Sequence, residues 1–151
     1  MEYNFDILLA GCNTNCLHCY VDGGPSKQMP YEDYLICLER LKYIFDKLDA
    51  KSEFTLDNEL FNHPKAKDII IKSREVLGNQ YFHHGSTTGI AFMSRSDKDE
   101  IAETLLSYNC NDISLTIHGN EEHHNEIVKN LQGFDMIKKS ANYFYSKGFK
   151  I

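Results

Sequence analysis

Nothing in this chain of 151 residues approaches the apolar run of roughly 20 residues that crosses a bilayer. It has no low-complexity stretch and no segment of the signal-peptide kind. It also has no excess of positive charge: 16 Lys and Arg stand against 22 Asp and Glu, a formal net charge of −6. The first of these absences argues against a membrane protein. The last argues against a broad phosphate-binding surface, so nucleic acid is not an expected partner. Cysteine comes in the wrong number for a disulfide framework, since five is odd and the chain is longer than the small secreted domains that need such staples. A cytoplasmic protein is expected, because reduced thiols persist there. What remains, 42% hydrophobic and 25% charged, is the composition of one ordinary globular domain over residues 1–151, large enough for a core. The nine Tyr and nine Phe belong in that core rather than on a base-stacking platform.

Three of the five cysteines, Cys12, Cys16 and Cys19, stand in the run Gly11-Cys12-Asn13-Thr14-Asn15-Cys16-Leu17-His18-Cys19-Tyr20. Thiolates this crowded repel one another and oxidise readily unless a cation or cluster holds them. Thiolate sulfur suits zinc, copper(I) and iron–sulfur clusters. Three ligands leave such a centre one position short, and a vacant position is where a metal site does chemistry. A zinc knuckle with a fourth ligand from elsewhere is the alternative. Zinc ribbons pair two C-x2-C knuckles, however, and this chain has one.

Along the chain, Tyr3 to Leu9 reads as a buried first strand bounded by Gly11, and Gly23-Gly24-Pro25 as a turn. Pro30, followed by Glu32 and Asp33, starts a helix whose apolar stripe is Tyr34, Leu38, Leu41, Phe45 and Leu48. A second strand, Ser52 to Leu56, runs into Asp57-Asn58-Glu59. Pro64 opens a second helix with Ile69, Ile70, Val76 and Leu77, ended by Gly78. Gln80 to His84 is a third strand, and Gly85 to Gly89 a polar turn. Ser96 and Asp99 form a capping box ahead of a helix with Ile101, Leu105 and Leu106. Asp112 to His118 is a fourth strand. A last helix carries Phe134, Ile137, Ala141 and Phe144 and stops at Lys147-Gly148.

Strands alternating with helices predict βαβ units and a parallel sheet. The cysteine loop, Asp57-Asn58-Glu59, Ser86 to Thr88 and His118-Gly119 all fall where a strand meets its helix. In α/β folds those carboxyl ends gather on the face that carries the active site. In the fourth strand Ile113, Leu115 and Ile117 alternate with Ser114, Thr116 and His118, so one face is polar. That face lines an interior holding ligand or water, or else is the solvated side of an edge strand. Cys110 precedes the fourth strand, at the far end of the sheet from the cysteine loop, and Cys37 lies beside the apolar stripe of the first helix. Both read as small core residues. His123 and His124 are adjacent in sequence, diverge on a helix and are not expected to share a metal. His63 reads as a cap or loop residue.

A C-x3-C-x2-C loop directly after the first strand of a βα-repeat chain resembles the radical S-adenosylmethionine (radical SAM) superfamily. The resemblance implies that Cys12, Cys16 and Cys19 ligate a 4Fe–4S cluster, whose fourth iron is chelated by the amine and carboxylate of S-adenosylmethionine (SAM). It implies cofactor contacts for Glu59, where the family has an acid for the SAM amine. Asn58 precedes it, but the family's Gly-Gly is absent. It implies further contacts for Thr88 at the end of the third strand and for Ser114 on the fourth, toward the SAM carboxylate or ribose. His18, just before the third cysteine, and Tyr20, just after it, fall near adenine. No catalytic residue and no substrate are implied.

The family's core is a six-unit (β/α) partial barrel. The expectation here is an incomplete (β/α) partial TIM barrel of about four βα units, with Gly148 to Ile151 opening a fifth strand. On this reading the core is truncated before its last strands, and a C-terminal half or partner chain completes the barrel wall. The fourth strand would then be an edge with unpaired backbone groups. The implied partner is a flavodoxin- or ferredoxin-type reductant. Two alternatives stand beside this reading: a metal- or cluster-binding module, and a truncated fragment, both without turnover.

Overall fold

Alternation of Phe5, Ile7 and Leu9 with Asn4, Asp6 and Leu8 gives the first strand two unlike faces. In the computed structural model, which describes residues 2–9, 11–20, 23–24, 27–48, 51–78, 81–83 and 86–151, that strand is β1 (Glu2–Leu8). Ile7 and Leu9 are buried while Asn4, Asp6 and Leu8 are exposed. The first strand is thus half-buried rather than wholly buried. Its partner β2 (Lys51–Asp57) runs parallel and in register, Asp6 opposite Thr55 and Ile7 opposite Leu56. Phe54 and Leu56 therefore enter the same core as Ile7. β3 (Tyr81–His83) continues the parallel sheet in the order β1-β2-β3.

The helices cover the apolar face. α1 (Tyr31–Lys47) follows Pro30, with Glu32 and Asp33 in its first turn, and buries Tyr34, Leu38, Leu41 and Phe45. α2 (Ala66–Leu77), behind a single 3₁₀ turn at Leu60–Asn62, buries Ile69 and Ile70 and ends on Gly78. The Tyr34 and Ser73 hydroxyls meet at 2.5 Å between α1 and α2, and Ser73 donates onward to the Ile69 carbonyl. No buried hydroxyl is left over there.

Three local departures from the sequence reading have physical causes. Ser86–Thr87, expected in a turn, is a short strand, β4, pairing parallel with β5 (Ser114–Leu115). The Thr116 N–H extends that pairing to the Thr87 carbonyl at 2.9 Å. The Ser96 capping box does not form. After a four-residue helix, α3 (Ile90–Met93), the next helix, α4 (Lys98–Ser107), is preceded by Asp97, with no side-chain cap. The Asp97 carboxylate is drawn instead to Arg95 at 2.7 and 2.8 Å, a bidentate pair stronger than a neutral cap. Ile117, expected in the core, is 57% exposed, because it lies past the end of β5, beyond the Thr116 N–H that makes the last bond to β4. Beyond β5 come α5 (Glu121–Val128) and α6 (Gly133–Ser146). Lys150 bridges Asp112 in parallel, so the chain leading into β5 is paired by the residues after α6. The expected Pro25 turn and the ends of the third strand at Gln80 and His84, with Gly85, lie outside the described residues.

An aromatic chain ties the late helices to the rest. Phe61 and Phe92 rings lie 5.0 Å apart, Phe92 and Phe144 4.3 Å, and Phe144 and Phe149 5.1 Å. Phe144 is fully buried among them. Phe144→Ala is expected to destabilise the fold by about 3–5 kcal/mol, read as a lower midpoint in urea at unchanged slope. A loss below about 1 kcal/mol would mean that α6 is not docked as described.

Candidate functional site

The carboxyl ends of β1, β2, β4 and β5 open onto one cavity of roughly 260 Å³. β1 delivers the cysteine loop, and Cys12, Cys16 and Cys19 all line the cavity. The loop turns at Gly11, φ +69°, where a Cβ would fall 2.2 Å from Gln28 Cγ. Only glycine fits that close approach. Inside the loop the buried Thr14 hydroxyl lies 3.0 Å from Cys12 Sγ and 3.5 Å from Cys16 Sγ. Gly23 N–H donates to Cys19 Sγ at 3.4 Å. Each sulfur therefore has a hydrogen-bonding neighbour among the described residues, the kind of contact that tunes a sulfur-ligated centre. Burial pushes the Cys12 thiol above its ordinary range, partly offset by Thr14. That thiol must lose its proton to ligate.

Glu59 stands across the cavity and is 4% exposed. Thr87 Oγ1 donates toward both its oxygens at 2.8 and 2.9 Å. Thr88 adds its N–H at 3.2 Å and its hydroxyl at 3.3 Å. The clamp is placed by Gly89, φ +74°, where a Cβ would meet Ser140 Cβ at 2.5 Å. Gly89 N–H donates to Thr87 Oγ1 at 2.9 Å. Burial raises the Glu59 carboxyl to about 7 despite the hydrogen bonds from Thr87, Thr88 and Phe61 that pull it down. A cation arriving in the cavity would draw it into the ionised form. Asn58, in the left-handed conformation at φ +69°, turns the chain from β2 toward Glu59 and also lines the cavity.

Of the residues singled out from the sequence, His18, Tyr20, Asn58, Glu59 and Thr88 join the three cysteines around this cavity. Tyr20 sits at the rim, 84% exposed. Ser114 does not join them. It lines a separate hollow with Asp112 and Lys150, because only the strand residues nearer its carboxyl end, Thr116 and His118, reach the site. Those two were visible as the polar alternation of the fourth strand. Thr14 and Gly23 carried no sequence signal, since their roles depend on how the loop folds back. His63 is buried, its Nε2 3.0 Å from the Met29 carbonyl and its Nδ1 accepting from Lys65 N–H. Cys37 and Cys110 pack partly buried against the core.

The profile of the radical SAM superfamily matches residues 7–151. The chain belongs to that superfamily. Solved structures agree in fold. "Native anSMEcpe with bound AdoMet and Cp18Cys peptide" superposes with a TM-score of 0.70 at 18% identity, over 99% of this chain and 42% of that one. "Native anSMEcpe with bound AdoMet" gives 0.69 at 17% over the same shares. This radical SAM chain thus spans under half the length of those relatives, and at such identity the likeness is one of fold. No curated protein matches it by sequence.

Among the described residues, no three His, Cys, Asp or Glu side chains converge on a single-ion site. The donor set nevertheless fits a cluster. Three soft thiol ligands share one cavity, a hydroxyl and an amide reach the sulfurs, and a clamped acid stands opposite. A cubane takes each thiolate on a different iron, so its ligands need not meet at a point. No helix among the described residues is long and apolar enough to cross a membrane.

Proposed function

We propose that this chain holds a 4Fe–4S cluster on Cys12, Cys16 and Cys19 and uses it to bind and cleave SAM. The observation that carries the proposal is the cavity shared by three thiols and a clamped buried acid in a radical SAM fold. When bound, the cluster supplies the electron for reductive cleavage of the SAM sulfonium, giving methionine and a 5′-deoxyadenosyl radical that abstracts hydrogen from a substrate. The chain's own residues bind and orient. Glu59, drawn into its ionised form by the positive charge of the incoming sulfonium cofactor, accepts hydrogen bonds from its methionyl amine while Thr87 and Thr88 keep the carboxylate from turning. His18 and Tyr20 offer flat surfaces beside the third cysteine for adenine. Thr88, and Thr116 in the place first expected for Ser114, present hydroxyls to the rest of the cofactor.

The proposal extends to architecture and partners. Residues 1–151 form the first part of an incomplete (β/α) partial TIM barrel, with the Asp112–Lys150 bridge as the opening of a fifth strand. Further units or a partner chain complete the wall, and a flavodoxin- or ferredoxin-type protein supplies electrons. Five free thiols suit a reducing cytoplasm.

The test is anaerobic reconstitution with iron and sulfide, then incubation with dithionite and SAM. Expected products are 5′-deoxyadenosine and methionine in equal amounts. A reduced cluster beside intact SAM would overturn the catalytic reading. The coverage of 42% of the solved relatives' length favours a cluster-binding module in that event.

A further inference from the structure

Helix α5 carries a histidine outside the cavity. His124 is fully buried, and its Nδ1 accepts the His118 backbone N–H at 3.2 Å. A neutral imidazole that accepts at Nδ1 carries its proton on Nε2. Here that nitrogen is buried without a hydrogen-bond partner among the described residues. A site needing only an apolar ring would be better filled by Phe, because an orphaned buried donor is unfavourable. The imidazole is therefore placed for its accepting edge and its face.

That face lies nearly parallel to the His118 ring, 5.6 Å between centroids and 21° between planes. His118 in turn meets His18 at 4.6 Å and 78°. Phe134 of α6 backs His124 edge-on at 5.9 Å. A second strut runs beside the rings: Leu17 N–H donates to the Ile127 carbonyl of α5 at 3.0 Å. Both struts end on Leu17 and His18, between Cys16 and Cys19. Burial first, and then the neighbouring His118, hold the His124 imidazole below its ordinary range, so the accepting Nδ1 is kept free of a proton.

We infer that His124 is a positioning residue: it fixes His118 through its amide and ring, and His118 fixes the Cys16–Cys19 turn through His18. The catalytic meaning of this strut rests on the radical SAM reading; the mechanical claim does not. The test is amide hydrogen exchange on the full chain without a cluster, comparing wild type with His124→Phe, which keeps a ring and loses the acceptor. His124→Asn keeps an acceptor and loses the ring.

The Leu17 and Cys19 amides are expected to exchange roughly tenfold faster in both variants, since each removes one of two links. The His118 amide should be deprotected in His124→Phe and rescued in His124→Asn. α1 and α2 should not change. Unaltered loop exchange in folded variants would overturn the inference, as would acceleration spread evenly over α1 and α2, which marks a core role alone. A reconstitution arm separates the two claims. Wild-type protein that takes up no cluster while the exchange difference persists sinks the proposed cluster function and leaves the strut standing. Normal cluster uptake with unaltered exchange does the reverse.

Discussion

Cys16→Ala, reconstituted anaerobically with iron and sulfide, is expected to lose nearly all iron–sulfur absorbance. Wild type should approach the four irons of a cubane per chain. The loss follows from ligand number, since two remaining thiolates leave two irons without protein ligands. It follows also from position. Cys16 shares the Thr14 hydroxyl with Cys12 and its carbonyl accepts the Cys19 N–H at 3.2 Å, so it is the middle member of the loop. Cys12→Ala and Cys19→Ala should behave alike. Cys110→Ala should keep its iron, because Cys110 lies before β5, its thiol directed at the Tyr108 carbonyl at 3.7 Å. Cys37→Ala, on α1, should keep it too. Iron retained in Cys16→Ala, or lost in Cys110→Ala, would contradict the ligand assignment.

Glu59→Gln should produce the second large effect, in two readouts of opposite sign. In SAM-free protein the Glu59 carboxyl sits near 7 against an ordinary 4.5. Below about 4.5 both folded and unfolded chains hold the proton, and burial carries no ionic penalty. As pH rises from about 4.5 to about 7 the unfolded chain releases its proton first, so stability falls, by about 3 kcal/mol in all. Above that window the penalty is constant. Glu59→Gln should flatten this slope, measured by urea unfolding at several pH values. The slope decides, because the amide also disturbs the Thr87 and Thr88 hydrogen bonds and shifts absolute stability. Binding should respond the other way. Loss of the charged carboxylate that accepts from the SAM amine weakens affinity roughly tenfold to a hundredfold. An unchanged slope would show that the carboxyl is not held as described, and unchanged affinity would remove Glu59 from the cofactor site.

Much of the frame was legible because it depends on period and spacing. The Tyr34, Leu38, Leu41, Phe45 stripe defines α1 whatever surrounds it. Cys12, Cys16 and Cys19, grouped by their spacing, do line one cavity. Glu59 could be placed on the same face as the cysteine loop because every strand of a parallel sheet delivers its carboxyl end to the same side. The parts that were not legible depend on tertiary partners. A two-residue strand such as Ser86–Thr87 has no period to detect, and pairing with β5 alone makes it one. Ser114 and Thr116 are equivalent in the alternation, and only the path of the strand decides which reaches the cavity. The expected Ser96 cap does not form, and the Asp97 carboxylate at the start of α4 is held by Arg95, a partner no local pattern announces. His124 was hidden because its work lies in a backbone amide six positions back and in a ring on another element.

The central claim is that three sulfurs grip a cubane whose remaining iron is open to SAM. Electron paramagnetic resonance of the reconstituted, dithionite-reduced protein tests it most directly, recorded with and without SAM. The account predicts the signal of a reduced 4Fe–4S cluster whose spectrum shifts when SAM is added. A spectrum indifferent to SAM, or protein isolated with one tightly bound zinc on those cysteines and no capacity for iron, would contradict it.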